Sequence, residues 1–313
     1  MSPQQRVEAA VTASSLHDGS SYYGRPILKE PVWQPEIPAY FLVGGLAGAS
    51  SLLSLGARVA GNDRLARATL FVGLAGDAVS PVLLVSDLGR PERFLNMLRV
   101  FKVTSPMSVG TWILVGSGAA NGVAGLLELA GRLRRTKLAA ESVSAALGPA
   151  LATYTAALLA DTAVPVWHEA RRELPFVFGG SAAAAAGAVA CVVVPPEDAG
   201  PARRLAILGT ILEGGAMQTM ERRLGFVGEP YRTGGAGKLA TAAKALATSG
   251  ALLLGVGGRR RRGLAVLGGS LLLAGETCLR WSVFRAGFQS ARDPKYVVEP
   301  QRARVGRARR TAS

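Results

Sequence analysis

Asp77, Asp161, Glu213 and Glu276 stand inside long apolar runs, where a carboxyl group is costly unless it moves protons or meets a cation. Lys244 and Arg280 stand in similar runs. Glu276 and Arg280 are spaced i, i+4 with the acid first, the better order for an ion pair on one helix face. A self-neutralising pair and a charge relay both fit that spacing. Asp161 follows YTAALLA and precedes VPVW, and Tyr154 lies seven residues back on the same helix face. Pro165 can loosen the helix there. A tyrosine, an aspartate and a helix break within a bilayer suit a quinone head group, which needs a hydrogen-bond partner at its carbonyl and a group that takes or gives a proton. The competing reading has Asp161 capping its helix or pairing with an arginine. Asp77, four residues before Pro81, can relay protons or satisfy backbone groups that the proline frees. Asp77, Tyr154, Asp161 and Glu213 are thus the proton-transfer candidates. His168 and Glu169 close the same run, and a solvated loop histidine is favoured there over a proton entry.

These residues need helices to hold them. The chain has 313 residues, 49% of them hydrophobic, in blocks. Eight windows have the length and low charge of a membrane helix: 38–60, 66–86, 108–130, 143–167, 175–194, 202–220, 239–257 and 263–284. The fourth and sixth are weaker, because acids interrupt them. An all-α integral membrane protein follows, with about eight transmembrane helices occupying 38–285. Even-numbered spans run toward the face that carries the termini. That places Asp161, Glu213, Glu276 and Arg280 in the half of the membrane nearer this face, with Lys244 at similar depth. Glycine and alanine recur in nearly every span, as in SAAAAAGAVA, and argue for a tightly packed bundle.

The first 37 residues form a polar arm with no apolar signal region. Pro31, Pro35 and Pro38 break helix before Ala39, and Trp33 and Tyr40 fall where aromatic belts form. Residues 286–313 are polar and basic, and disorder is expected. The net charge of +15 lies in loops and tails, where anionic lipid attracts each cation by about 1 kcal/mol. Membrane lipid is therefore the expected partner of this charge, and nucleic acid is not. Basic short loops and a basic tail lie on opposite faces, so charge does not decide the orientation. Cys191 and Cys278 have no CxxC spacing, which excludes an iron–sulfur or zinc site. His17 and His168 are the only histidines, too few to ligate a pair of haems. No haem, cluster or metal is expected in this chain.

Between the second and third spans runs DLGRPERFLNMLRVFKVTSPMSVGTW, polar and rich in arginine, pinned at both ends to membrane helices. It reads as a docking surface. Together with WQPEIPAYFLVGGLAGAS, YTAALLADTAVPVW and the ending SARDPKYVVEPQR, it resembles the NrfD-like family, which includes the polysulfide reductase membrane subunit. The resemblance implies eight helices in two four-helix bundles. It implies a bacterial plasma-membrane subunit of an iron–sulfur molybdopterin oxidoreductase. A ferredoxin-like subunit with 4Fe-4S clusters would pass electrons between the molybdopterin catalytic subunit and menaquinone or ubiquinone. Asp87, Gly89, Arg90, Pro91, Ser105, Pro106, Met107 and Trp112 match the family's docking loop, in which Arg90 and Arg93 would contact partner carboxylates. Tyr154 and Asp161 match the fourth-span motif. Relatives place a histidine or asparagine at the start of the first span. Gln34 and Glu36 stand there instead and are expected to face the quinone, with Tyr154 and Asp161 behind. Two other readings use the same residues: a stand-alone ion or proton transporter, disfavoured because no internal repeat is visible, and a passive anchor without quinone chemistry.

Overall fold

The computed structural model describes residues 27–88 and 92–302. His17, Gly89, Arg90 and Pro91 lie outside the described residues, as does the side chain of Arg93. Among the described residues these α-helices follow in order: α1 (Glu36–Val59), α2 (Asp63–Asp87), α3 (Arg93–Met97), α4 (Pro106–Ala130), α5 (Arg134–Ala160), α6 (Pro165–Glu169), α7 (Leu174–Val193), α8 (Gly200–Leu224), α9 (Gly234–Val256) and α10 (Arg262–Arg292). A 3-10 turn, Glu229–Tyr231, sits between α8 and α9. Local chemistry sets the boundaries. Asn62 caps α2 by accepting from the Leu65 N–H at 3.1 Å. Ser105 caps α4, with Pro106 in its first turn, and Gly131 ends that helix at φ 63°.

The eight long helices form two bundles. α1, α2, α4 and α5 pack together, as do α7, α8, α9 and α10. The bundles meet where α1 and α5 pack on α7, and α1 on α10. Small residues allow the closest approach within the first bundle. A Cβ on Gly48 would fall 2.3 Å from the Gly148 carbonyl oxygen, so only glycines let α1 and α5 touch there.

Seven of these helices are long and apolar enough to cross a membrane. α8, the sixth expected span, has the length at 25 residues. Its arginines and acids keep it below the hydropathy of the others. The expected fourth span ran too far. α5 stops at Ala160, Val164 is extended (φ −68°, ψ 119°), and Pro165 opens the separate α6. Pro165 has no N–H to bond the carbonyl of Asp161, four residues back, so the helix does not continue through it. The C-terminal region also differs from expectation. α10 continues to Arg292, helix resumes over 295–302, and Tyr296 is buried. Packing on Phe226, ring centroids 5.4 Å apart, and a bond from Tyr296 to Glu229 hold this segment down.

Candidate functional site

At the end of the first bundle nearest the 88–105 connection, α1, α2, α4 and α5 enclose a small apolar cavity of about 60 Å³. Trp33, Ile37, Tyr40 and Phe41 form one wall, Leu84 and Asp87 a second, Met107 and Thr111 a third, and Tyr154 the fourth. Tyr40 and Tyr154 meet edge to face, centroids 6.3 Å apart. The Tyr154 ring stands close because α4 offers Gly110 there, whose Cβ would lie 2.0 Å from the ring. Trp33 belongs to the non-helical segment before α1. It is held by stacking on buried Trp167, and its neighbour Gln34 donates its backbone N–H to Asp87 Oδ1 at 2.9 Å. A tyrosine pair set in a hydrophobic cavity can grip an aromatic ring and offer it O–H groups.

The expected residues separate around this cavity. Tyr154 lines it; Asp161 does not. Asp161 is the exposed C-cap of α5 and lines a different pocket with His168, Glu169 and Tyr296. The helix ends before Asp161, leaving that side chain exposed at the helix terminus and away from the cavity that Tyr154 lines. Tyr154 and Asp161 therefore do not share a site. His168 is likewise exposed, its Nδ1 3.0 Å from the Ala160 carbonyl. The Gln34 side chain is exposed, and Glu36 is partly buried, with Oε2 lacking a hydrogen-bond partner. Neither lines the cavity. Their flanking residues Trp33 and Ile37 do. Trp33, Tyr40 and Thr111 are site residues that the sequence reading did not single out; the aromatic-belt position of Trp33 and Tyr40 was the available signal.

Asp77 sits deeper between α2 and α4, buried. Its Oδ2 accepts from Ser117 at 3.0 Å and from Asn121 at 2.7 Å, and Asn121 also donates to Ser51 at 2.8 Å. Glu213, Glu276 and Arg280 gather between α7, α8 and α10 in the second bundle. The i, i+4 spacing does not close an ion pair there. Arg280 instead crosses to α7, donating to the Phe178 carbonyl at 3.0 Å with its guanidinium 3.9 Å above the Phe178 ring. Carbonyl and ring take up part of the cation, while Arg280 Nε and Nη1 are left without a hydrogen-bond partner. Lys244 is not part of a buried cluster. It is exposed and pairs with Glu221 at 2.7 Å.

The loop residues have local duties. Asp87 anchors the arm, and Ser105 caps α4 through the Ser108 N–H. Trp112 is 40% exposed and meets Phe101 edge-on. Val100, Phe101 and Val103 leave an exposed apolar strip beside it. Elsewhere on the same face, Arg223 grips Glu173 through Nε and Nη2 at 2.5 and 2.6 Å. That bidentate bond holds the Glu173 carboxyl below the usual carboxylate range. Lys295 does the same to Glu229 from 2.9 Å. Among the described residues no group of three or more His, Cys, Asp or Glu is placed to hold a metal ion.

A family model described as polysulfide reductase, of the NrfD type, matches residues 20–292. No curated protein matches the chain at a significant level.

Proposed function

The chain belongs to the NrfD-type polysulfide reductase family and is a multi-pass membrane subunit of a redox enzyme complex; from that premise we propose that it is the quinone-reactive subunit. The observation that carries this reading is the cavity walled by Trp33, Tyr40 and Tyr154 at the loop end of the first bundle. Its apolar rings suit a flat aromatic head group, and its two phenols are donors for a carbonyl. A bound quinone would supply two-electron, two-proton chemistry. Tyr154 and Tyr40 would orient the ring by their hydroxyls and close aromatic contact. Ile37 and Phe41 would keep water from it. The acids Asp77, Glu213 and Asp161 are the candidates for exchanging its protons with the aqueous phases.

The cavity at about 60 Å³ is smaller than a quinone ring, so binding must widen it. The wall that can give is the Trp33 segment, which lies outside any helix. The small volume is also what favours the second reading, a passive anchor.

We further propose the partners: a ferredoxin-like subunit with 4Fe-4S clusters and a molybdopterin catalytic subunit, in a bacterial plasma membrane. The exposed strip at Val100, Phe101 and Val103, beside the arginine-rich connection, supports docking on the face above the cavity. Electrons would then reach the ring without a haem or cluster in this chain. Menaquinone and ubiquinone both fit this chemistry.

The test is binding. Menadione added to the purified complex should quench tryptophan fluorescence saturably, and Trp33→Phe should remove most of the quench. Tyr154→Phe should weaken binding by about fivefold to tenfold, the loss of one hydrogen bond. A complex that turns over its substrate yet shows no saturable menadione binding would leave the passive anchor standing.

A further inference from the structure

α2 carries Asp77, Ser80, Leu84 and Asp87 at i, i+3, i+7 and i+10, all on one helix face. Leu84 and Asp87 line the aromatic cavity. Ser80 and Asp77 continue that face inward, 0% and 4% exposed. Tyr40 of α1, also fully buried, lines the cavity, and Gly44, one helical turn on, lies against both Tyr40 and Ser80. Three oxygens along this line have no hydrogen-bond partner in the protein: the Tyr40 hydroxyl, Ser80 Oγ and Asp77 Oδ1. Buried oxygens are rarely left so, and bridging water is the ordinary remedy. Asp77 Oδ2 is already committed to Ser117 and Asn121, so Oδ1 is the oxygen left to meet such water. There is room beside Gly44. A Cβ placed there would lie 3.4 Å from the Tyr40 ring and 3.7 Å from Ser80 Oγ, ordinary contact distances.

We propose that Tyr40 and Ser80, bridged by water, form a proton route between the aromatic cavity and Asp77. The proposal rests on the quinone reading of that cavity and singles out Asp77 among its candidate acids. In the oxidative direction two electrons leave the ring for the iron–sulfur partner and two O–H bonds break. Tyr40 accepts one of these protons while giving its own to the water beside Gly44. Ser80 passes it on in the same way, and Asp77 Oδ1 gains it. The second proton leaves at the cavity mouth to solvent. The other acids are placed elsewhere. Asp161 is exposed in a different pocket. Glu213 and Glu276 lie with Arg280 behind α1, where Arg280 Nη2 is 3.4 Å from a Cβ on Gly45, not Gly44.

The intact complex is assayed with duroquinol as donor and menadione as binding probe. Tyr40→Phe and Ser80→Ala each delete one oxygen, and Gly44→Ala fills the gap with a methyl that meets nothing closer than 3.4 Å. Each should slow duroquinol oxidation by about a hundredfold and raise the solvent deuterium isotope effect; menadione affinity should hold within about twofold in Ser80→Ala and Gly44→Ala, while Tyr40→Phe, which also loses a cavity hydroxyl, should bind about fivefold to tenfold more weakly. Asp77→Asn should behave like Ser80→Ala. Ser144→Ala, a buried hydroxyl loss on α5, should leave rate and isotope effect unchanged. Wild-type rates in Ser80→Ala and Gly44→Ala, with menadione still bound, overturn the route and spare the quinone reading. Absence of menadione binding to the wild-type complex overturns both.

Discussion

Trp33 stacks on Trp167 with ring centroids 5.6 Å apart and planes inclined by 24°. The pair joins the one non-helical residue named in the cavity walls, Trp33, to residues packed on α10 of the second bundle. Trp167 is itself locked, its Nε1–H donating to the Val283 carbonyl at 2.8 Å and its ring filling the space over Gly287. The geometry of the cavity is thus set partly by α10, a helix that does not line it.

Gly287→Ala places a methyl 2.0 Å from the Trp167 ring. The ring must move, and Trp33 with it. The variant should lose about 1–3 kcal/mol of stability, as overpacked cores do. Thermal unfolding of the complex measures the loss, and a shifted tryptophan emission maximum reports the displaced stack. Trp167→Phe keeps an aromatic surface and should restore most of the stability that Trp167→Ala loses.

Asp87 holds the arm by accepting from the Gln34 N–H. Asp87→Asn keeps an acceptor oxygen and should change little. Asp87→Leu removes it and should free residues 28–35, raising their amide exchange while α2 stays protected. Equal exchange in the two variants would show that the Trp33 stack alone fixes the arm.

On the opposite face, Arg58 ties α1 to α4 and α5 by bonds to Glu128 at 3.0 Å and Glu141 at 2.7 Å. The Glu141 side chain is 1% exposed. Arg58→Met strands a buried carboxylate and should cost about 3–5 kcal/mol. Arg58→Met with Glu141→Met should cost much less, because no charge is then left unpaired. A double-mutant cycle by thermal unfolding distinguishes a coupled pair from two independent losses.

Glu173 supplies a pH dependence. Its carboxyl titrates below its ordinary value of 4.5 in the folded chain, because Arg223 favours the charged form. The stabilisation is therefore complete above pH 4.5 and disappears as pH falls through the lowered value. Melting temperatures between pH 3 and 6 should fall less steeply with acid in Glu173→Gln than in the wild-type chain. Parallel curves would mean that the Arg223 bond carries no linkage.

Apolar run lengths located the eight long helices of this protein but not all their ends, because a bilayer leaves a chain little choice but helix wherever about 20 apolar residues continue. The small-residue faces also announced close helix contact. Sequence could not say where Asp161 would point. Seven residues from Tyr154 is one face of an unbroken helix, yet α5 ends at Ala160 and Asp161 stands exposed at its end. Nor could the i, i+4 rule see that Arg280 has a carbonyl and a ring waiting on α7. Trp33, Tyr40 and Thr111 come together from a loop, α1 and α4 only when the bundle closes. Periodicity reports what one helix presents. Which neighbour receives it is decided by packing across residues far apart in the chain, and that information exists only in three dimensions.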